Sequence, residues 1–275
     1  MIPFEFEYYQ PETVDEAVQT FISLDARGLQ PRYFAGGTET ISMARVCSIS
    51  FGALIDIKHI PACSVFRHDD QSLLLGSALP LSRVIEADVF HLLTLSARRV
   101  ADHTAQHRIT LGGNVAGTIF YHEATLPLLV SGCRAALTGP QGSREVPLTD
   151  LFQPRLTLQK GELLVHFMIP AEALQWPCVH AKHTEGEKIG YPLVTAAAIR
   201  KGSDIIMAFS GIQQYPVMVQ ADATFNGTSQ AAASALMARI PQPLLTDSYG
   251  TSEYRAFLLK SVISNILDKL GEASA

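Results

Sequence analysis

The spacing of apolar residues near the start of the chain predicts alternating helices and strands. In "TVDEAVQTFISLDARG", apolar side chains from Ala17 to Ile22 recur at helical spacing, and Thr13 stands at the capping position. The short run "PRYFAGG" predicts a strand that ends in a turn, "ISMARV" a helix and "ALIDI" another strand. These segments indicate an α/β unit in which Gly36 and Gly37 lie at the carboxyl end of a strand.

The middle of the chain combines regular segments with one glycine-rich stretch. "SLLLGSAL" predicts a strand, and the residues after Pro80 predict a helix in two pieces. "RITLGGNVAGTIFYHE" is poor in helix formers, so an irregular loop is expected there. "ELLVHFMIP" alternates loosely between apolar and polar residues and predicts a strand that ends at Pro170.

The pattern changes after Pro170. "CVHAKH", "YPLVTAAAIRKG" and "DIIMAFSGI" predict consecutive strands, and "SQAAASALMARI" predicts a helix. "SEYRAFLLKSVISNILDKL" predicts an amphipathic helix, with Leu258, Val262, Ile266 and Leu270 on one face. Strands followed by helices are typical of an α+β domain, so we predict domains at 1–170 and 171–275.

The composition narrows the class of protein. Of the 275 residues, 47% are hydrophobic and 17% charged, which is enough apolar material for a sizeable core. The net charge of −5, with scattered basic residues, argues against nucleic-acid binding. No signal peptide and no membrane span are expected. The four cysteines lack C-x-x-C spacing, which favours buried, reduced thiols in a cytoplasmic protein over an iron–sulfur or zinc motif.

Two glycine pairs are candidates for an anion site. Gly36 and Gly37 lie between a predicted strand and a predicted helix, where successive N–H groups can form a nest for phosphate oxygens. Thr38 adds a hydroxyl group there, and Thr110 and Asn114 flank the second pair in "ITLGGNVAG". An ordinary turn is the alternative at each pair.

The established nucleotide motifs are missing from the sequence. It contains no G-x-G-x-x-G, so a Rossmann dinucleotide site is not supported. The spacing from Gly112 to Gly117 approaches that of a phosphate-binding loop, but Thr118 stands where that loop requires lysine. A kinase or ATPase is therefore not expected.

A histidine pair offers a different hypothesis. His103 and His107 are four residues apart and would share a helix face, where they could bind zinc together with His122 or Glu123. Such a site would support a metal-dependent hydrolase. The H-E-x-x-H motif is absent, and we predict no metal site.

Several motifs, in order along nearly the whole chain, resemble one family. They are "FEYYQPETVDEAV", "YFAGGTET", "LIDIKHI", "LLLGSAL", "ITLGGNVAG", "GELLVHFMIP" and "SEYRAFLL". Together they resemble the FAD-binding (medium) subunit of molybdenum hydroxylases, the xanthine dehydrogenase and carbon monoxide dehydrogenase type. Each motif is unspecific by itself, whereas their order and spacing together are specific.

The resemblance implies an α+β fold: a PCMH (vanillyl-alcohol-oxidase-like) FAD-binding region of two α/β subdomains, divided near residue 57, and an α+β C-terminal domain. It also implies which residues hold FAD. A first loop would wrap the pyrophosphate; it comprises Arg32, Tyr33, Phe34, Ala35, Gly36, Gly37, Thr38 and Glu39. Thr110, Gly113 and Asn114 would complete the cradle. Glu123 would hydrogen-bond FAD, Leu164 would pack on the isoalloxazine ring, and Lys182 would lie near the polar edge of the flavin.

The same resemblance implies a redox role in a larger complex. A small partner subunit would carry [2Fe–2S] clusters and a large one molybdopterin, and FAD would pass electrons to NAD or another acceptor. The sequence departs from the family pattern at Gln106 and His107, where Arg-Asn is usual, at Val100, where an aromatic residue is often found, and in "GEKIGYP", which lacks an Asp. A scaffold subunit that has lost FAD is therefore an alternative.

Overall fold

The computed structural model describes residues 1–152, 154–186, 190–225 and 227–271. The amino-terminal part is a small parallel sheet with strand order β1–β3–β2. Its elements are β1 (Glu7–Tyr9), α1 (Val14–Ala26), β2 (Arg32–Phe34), α2 (Thr38–Arg45), β3 (Ala53–Asp56) and α3 (Pro61–Ser64). Because β2 is parallel to β3 and leads directly into α2, its carboxyl end places the first glycine pair at the start of a helix, as predicted.

The middle part is a five-stranded antiparallel sheet with strand order β4–β5–β8–β6–β7. Its strands are β4 (Phe66–His68), β5 (Ser72–Gly76), β6 (Arg134–Gly139), β7 (Gly142–Pro147) and β8 (Leu163–Pro170). Between β5 and β6 the chain forms α4 (Leu81–Ala87), α5 (His91–Ala97), α6 (His103–Gln106), α7 (Leu111–Ala116) and α8 (Thr125–Val130). The two helical pieces expected after Pro80 are α4 and α5.

Helix α7 occupies six residues, Leu111–Ala116, of the stretch that was expected to be an irregular loop. Leu111 and Val115 are fully buried, and the Thr110 hydroxyl accepts a hydrogen bond from the Gly113 N–H group at the helix start. A Cβ atom on Gly112 would lie 2.5 Å from the Cβ atom of Ser77, so this glycine permits close packing. For these six residues the expectation was wrong, because tertiary burial and capping outweigh the low helix propensity of two glycines.

The carboxyl-terminal part is a four-stranded antiparallel sheet with strand order β12–β11–β10–β9, covered by two helices. Its elements are β9 (Cys178–Thr184), β10 (Pro192–Lys201), β11 (Asp204–Ser210), β12 (Val217–Asp222), α9 (Ser229–Met237) and α10 (Ser252–Leu270). The three predicted strands and two helices are present, and β12 is an additional strand. Helix α10 buries Val262, Ile266 and Leu270 as predicted, whereas Leu258 is only partly buried.

Strand β10 connects the cores of the middle and carboxyl-terminal parts. Val194, Ala196 and Ala198 face α9 and α10, whereas Ala197 and Ile199 pack into the core of the middle part. This burial on both faces explains the continuous apolar run "PLVTAAAI". Among the helices described, none is both long enough and apolar enough to span a bilayer.

The four cysteines are free thiols in different environments. Cys63 and Cys133 are buried, as expected, and burial raises the pKa of the Cys63 thiol to about 11. Cys178 is partly buried and Cys47 is exposed. The expectation of buried thiols is therefore wrong for Cys47.

Candidate functional site

A cavity of about 760 Å³ lies where the three parts of the chain meet. Its size is in the range of small-molecule and cofactor sites, roughly 300–1,000 Å³. The lining includes every site residue predicted from the sequence except Lys182: Arg32, Tyr33, Phe34, Ala35, Gly36, Gly37, Thr38, Glu39, Thr110, Gly113, Asn114, Glu123 and Leu164. The fold thus brings together two glycine loops that are more than 70 residues apart in the sequence.

The first loop presents an uncapped helix start to the cavity. Gly37 is the N-cap of α2, has a φ of 70° and makes no side-chain capping hydrogen bond. The first-turn N–H groups of a helix have no partner within the helix, and the helix dipole favours an anion near them. A side chain at position 37 would be strained by the positive φ and would clash with the Phe34 ring, 2.5 Å from a Cβ atom there. The start of α2 is therefore suited to a phosphate group.

Gly36 is required by the second loop. A Cβ atom at this position would lie 1.8 Å from the carbonyl oxygen of Arg108. This contact between the first loop and the start of the second gives Gly36 a packing role, and the close approach of a phosphate stays a prediction. The absence of a side chain allows the loops to form one continuous wall of the cavity.

Glu39 also joins the two loops. Its carboxylate accepts hydrogen bonds from the backbone N–H group of Thr118, at 2.8 Å, and from the Thr118 hydroxyl. Residue 39 lines the cavity, as predicted for a ligand-binding residue, while its side chain fixes the position of the chain that follows α7.

The polar side chains of the second loop shape its backbone. The Thr110 hydroxyl caps α7, and the Asn114 side-chain oxygen accepts a hydrogen bond from the Thr125 hydroxyl at 3.3 Å. The Asn114 carbonyl oxygen lies 2.9 Å from Nδ1 of His122. These bonds hold the backbone of the loop, including Gly113, in the shape that lines the cavity.

Glu123 and Lys182 form a buried ion pair behind the cavity wall. The Lys182 Nζ atom lies 2.8 Å from Glu123 Oε1, and the two side chains are 1% and 6% exposed. The Thr195 hydroxyl also donates to Oε1, at 3.2 Å. Burial raises the pKa of Glu123, and the adjacent Lys182 opposes that rise. Glu123 reaches the cavity, whereas Lys182 supports it from outside the lining.

The apolar wall comes from strands. Leu164 in β8 is 4% exposed and lines the cavity beside Leu163 and Ile57. Tyr33 has a structural role in addition, because its hydroxyl donates to the Gly161 carbonyl at 2.9 Å and its ring stacks on Phe21. The cavity therefore has a polar end at the two loops and apolar surface along β8 and β3.

Sequence reasoning missed an aromatic cluster at the cavity. Tyr121 and Tyr191 line it and stack on each other with ring centroids 4.7 Å apart, and Tyr249 lies 6.0 Å from Tyr191. Burial, with the nearby Asp247 carboxylate, raises the pKa of Tyr121 to about 12. No sequence signal links tyrosines so far apart. The stretch 187–189, within "GEKIGYP", lies outside the described residues.

His103 and His107 do not form a metal site with the other candidate ligands. The Nε2 atoms of His103 and His107 are 3.2 Å apart, but both side chains are exposed. His122 is bonded to Asn114 and Glu123 to Lys182, so neither proposed third ligand joins the pair. Within the described parts of the chain, no group of three or more His, Cys, Asp or Glu side chains could hold a metal ion. The zinc hydrolase hypothesis therefore has no structural support.

Comparison with known proteins identifies the family. Residues 4–172 match the family described as the FAD binding domain in molybdopterin dehydrogenase. The chain belongs to this family. The resemblance inferred from the sequence is thereby confirmed, and FAD is the cofactor of the family domain.

Relatives of this FAD-binding domain include subunits of different dehydrogenases. The chain is 29% identical over 180 residues to the carbon monoxide dehydrogenase medium chain of Hydrogenophaga pseudoflava, covering 63% of this chain and 61% of that one. It is 25% identical over 177 residues to the 6-hydroxypseudooxynicotine dehydrogenase complex subunit alpha of Paenarthrobacter nicotinovorans, covering 62% and 58%. The matches thus span about three-fifths of these curated relatives.

The structural similarity of this FAD-binding family member to solved structures covers nearly the whole chain. A chain in the structure of carbon monoxide dehydrogenase from Hydrogenophaga pseudoflava superposes with a TM-score of 0.87 at 24% identity, covering 98% of both chains. The predicted α+β fold with an FAD-binding region is confirmed. The domain limits near residues 57 and 170 and the individual roles of the site residues remain predictions.

Proposed function

We propose that this chain is the FAD-binding, electron-transfer subunit of a multi-subunit molybdenum hydroxylase, an oxidoreductase, and that FAD binds in the cavity between the two glycine loops. The observation that carries the proposal is the uncapped start of α2, which opens onto a cavity of about 760 Å³ in a chain of this family. A helix start of this kind favours a diphosphate, and the cavity continues from it onto apolar surface.

Each part of the cavity has a role in holding the cofactor. The N–H groups that follow Gly37 would bind the pyrophosphate, and the backbone around Gly113 would complete the cradle. Leu164 would pack against the isoalloxazine ring, since it presents an apolar side chain to the cavity. Glu123 would accept a hydrogen bond from FAD, and Lys182, bonded to its carboxylate, would keep that carboxylate in position.

Bound FAD would supply the electron transfer, and the protein would bind and orient the cofactor. Electrons would arrive from [2Fe–2S] clusters on a small partner subunit, after substrate hydroxylation at molybdopterin on a large partner subunit. They would leave to NAD or another acceptor. The names of two relatives, a medium chain and a complex subunit alpha, support a place in such an assembly. The free thiols support a cytoplasmic location.

Purification from the native source tests this proposal. An affinity tag on this chain should retain two further subunits, together with flavin, molybdenum and iron in the eluate. A complex that contains iron and molybdenum but no flavin, even after incubation with FAD, would show a scaffold subunit instead. Recovery of the chain alone and without flavin would contradict both the partners and the cofactor.

A further inference from the structure

One wall of the cavity is a strained turn. Val100 and Ala101, which follow α5, both line the cavity. Ala101 has a φ of 53°, in the left-handed region that a residue with a Cβ atom rarely adopts. Such a conformation is strained for a residue with a Cβ atom and persists only where the surroundings enforce it.

The side chain of Gln106 enforces this conformation. Its amide nitrogen lies within hydrogen-bonding distance of four backbone carbonyl oxygens: Val100 at 3.1 Å, Arg98 and Ala101 at 3.3 Å, and Ala97 at 3.5 Å. The amide has two hydrogens, so the four carbonyls share them. Gln106 is 6% exposed, and water therefore has little access to replace it.

The remaining carbonyl of the turn is held by Lys182. The Nζ atom of Lys182 donates to the Arg99 carbonyl oxygen at 2.7 Å and pairs with Glu123, which also lines the cavity. Two side chains thus hold the five consecutive carbonyl groups from Ala97 to Ala101. Neither Gln106 nor Lys182 lines the cavity, so both side chains hold the turn from the side away from it.

We propose that Gln106 is a positioning residue for the cofactor: its amide holds the turn so that Val100 and Ala101 form the FAD-contacting wall. The inference rests on the proposed FAD site. Without the amide, the Arg98, Val100 and Ala101 carbonyls would lose this donor, whereas the Ala97 carbonyl would keep the Val100 N–H group. Ala101 would then relax out of the left-handed region. The wall would then shift relative to the cofactor, although Gln106 itself does not line the cavity.

Gln106→Met tests this role, because it keeps the side-chain length and removes the donors. The flavin-free protein should bind FAD about tenfold more weakly or worse, in fluorescence titration. Gln213→Met is the matched control, since the Gln213 amide also donates to two backbone carbonyls, those of Pro241 and Pro243, away from the cavity. That control should leave FAD affinity within about twofold.

A second substitution separates positioning from folding. Glycine adopts positive φ without strain, so adding Ala101→Gly to Gln106→Met should recover part of the lost FAD affinity. If Gln106→Met does not fold, Gln106→Asn serves instead, because its shorter amide cannot reach all four carbonyls. Unchanged FAD affinity in Gln106→Asn would overturn the inference.

Unchanged FAD affinity in a folded but less stable Gln106→Met protein would also overturn the inference, while the proposed FAD site would stand. Absence of FAD binding by the wild-type protein would remove the proposed function itself.

Discussion

Gly36 and Gly37 are adjacent but serve different physical purposes. Gly37 adopts a positive φ at the start of α2, where its backbone leaves N–H groups free of a side-chain cap. Gly36 allows the Arg108 carbonyl oxygen of the second loop to approach the first. The pair therefore combines a conformational requirement with a packing requirement, and a larger residue at either position changes the same cavity.

Gly36→Ala should separate the two loops. The new Cβ atom would overlap a backbone carbonyl at 1.8 Å, and backbone cannot rotate away as a flexible side chain can. We expect a lower melting temperature and FAD binding weaker by about tenfold or more. Gly186→Ala is the control, because nothing lies within 4 Å of its added Cβ atom. Equal FAD affinity in the two variants would show that contact between the loops is unimportant for the site.

His180 should make stability sensitive to moderately acidic pH. Burial lowers its pKa to about 4, and the positive charges of Arg99 and Lys182 act in the same direction. Between about pH 4 and pH 6.5, His180 is therefore protonated in the unfolded chain, where a histidine pKa is about 6.5, and neutral in the folded chain. The stabilising contribution of neutral His180 is therefore present above about pH 6.5 and is lost as the pH falls towards 4.

Thermal unfolding of wild type and His180→Gln at pH 7 and pH 5 measures this effect. Glutamine does not titrate, so the variant should lose about 1–2 kcal/mol less stability than wild type on acidification. An equal loss of stability in both proteins would show that the pKa of His180 is not lowered in the folded chain.

At the scale of elements, α2 and α7 act as one unit. They lie in different parts of the chain, yet the bonds from Thr118 to Glu39 and the contact of Gly36 with Arg108 join their loops. In the proposed site, the start of α2 would bind a phosphate beside the second loop. The polar end of the cavity therefore depends on contacts between two elements rather than on either motif alone.

Thr118→Val should weaken this connection without changing the core, since Thr118 is exposed. The variant loses the hydroxyl bond to Glu39 and keeps the backbone bond, so we expect FAD affinity to fall by about three- to tenfold. Thr224→Val removes a comparable hydroxyl bond, to Asp222 at the end of β12, and should leave FAD affinity unchanged. Hydrogen exchange in residues 117–119 should rise only in Thr118→Val. Unaltered exchange and affinity would contradict the linkage.

Local signals predicted most elements, but not contacts between distant ones. The helical spacing in α1 and α10 and the strand before Gly36 were sufficient for a correct prediction. Helix α7 was missed because its stability depends on burial of Leu111 and Val115. The reason for Gly36 was missed because Arg108 is distant in sequence, and Lys182 could not be placed behind Glu123 before β9 was positioned.

At the scale of the whole molecule, the cavity belongs to all three parts of the chain. The amino-terminal part supplies the first loop, the middle part the second loop and Leu164, and the carboxyl-terminal part Tyr191. Lys182 and Thr195, also from the carboxyl-terminal part, hold the Glu123 carboxylate. Because β10 completes the core of the middle part, the carboxyl-terminal part supports the site as well as lining it.

Calorimetric titration of the flavin-free protein with FAD, and separately with riboflavin, tests the cofactor site most directly. Riboflavin has the isoalloxazine ring but lacks the adenosine and the diphosphate that the N–H groups at the start of α2 would bind. We predict one FAD bound per chain, at an affinity at least about a hundredfold above that for riboflavin. No saturable binding of FAD, or equal affinity for the two flavins, would contradict a diphosphate site between the glycine loops.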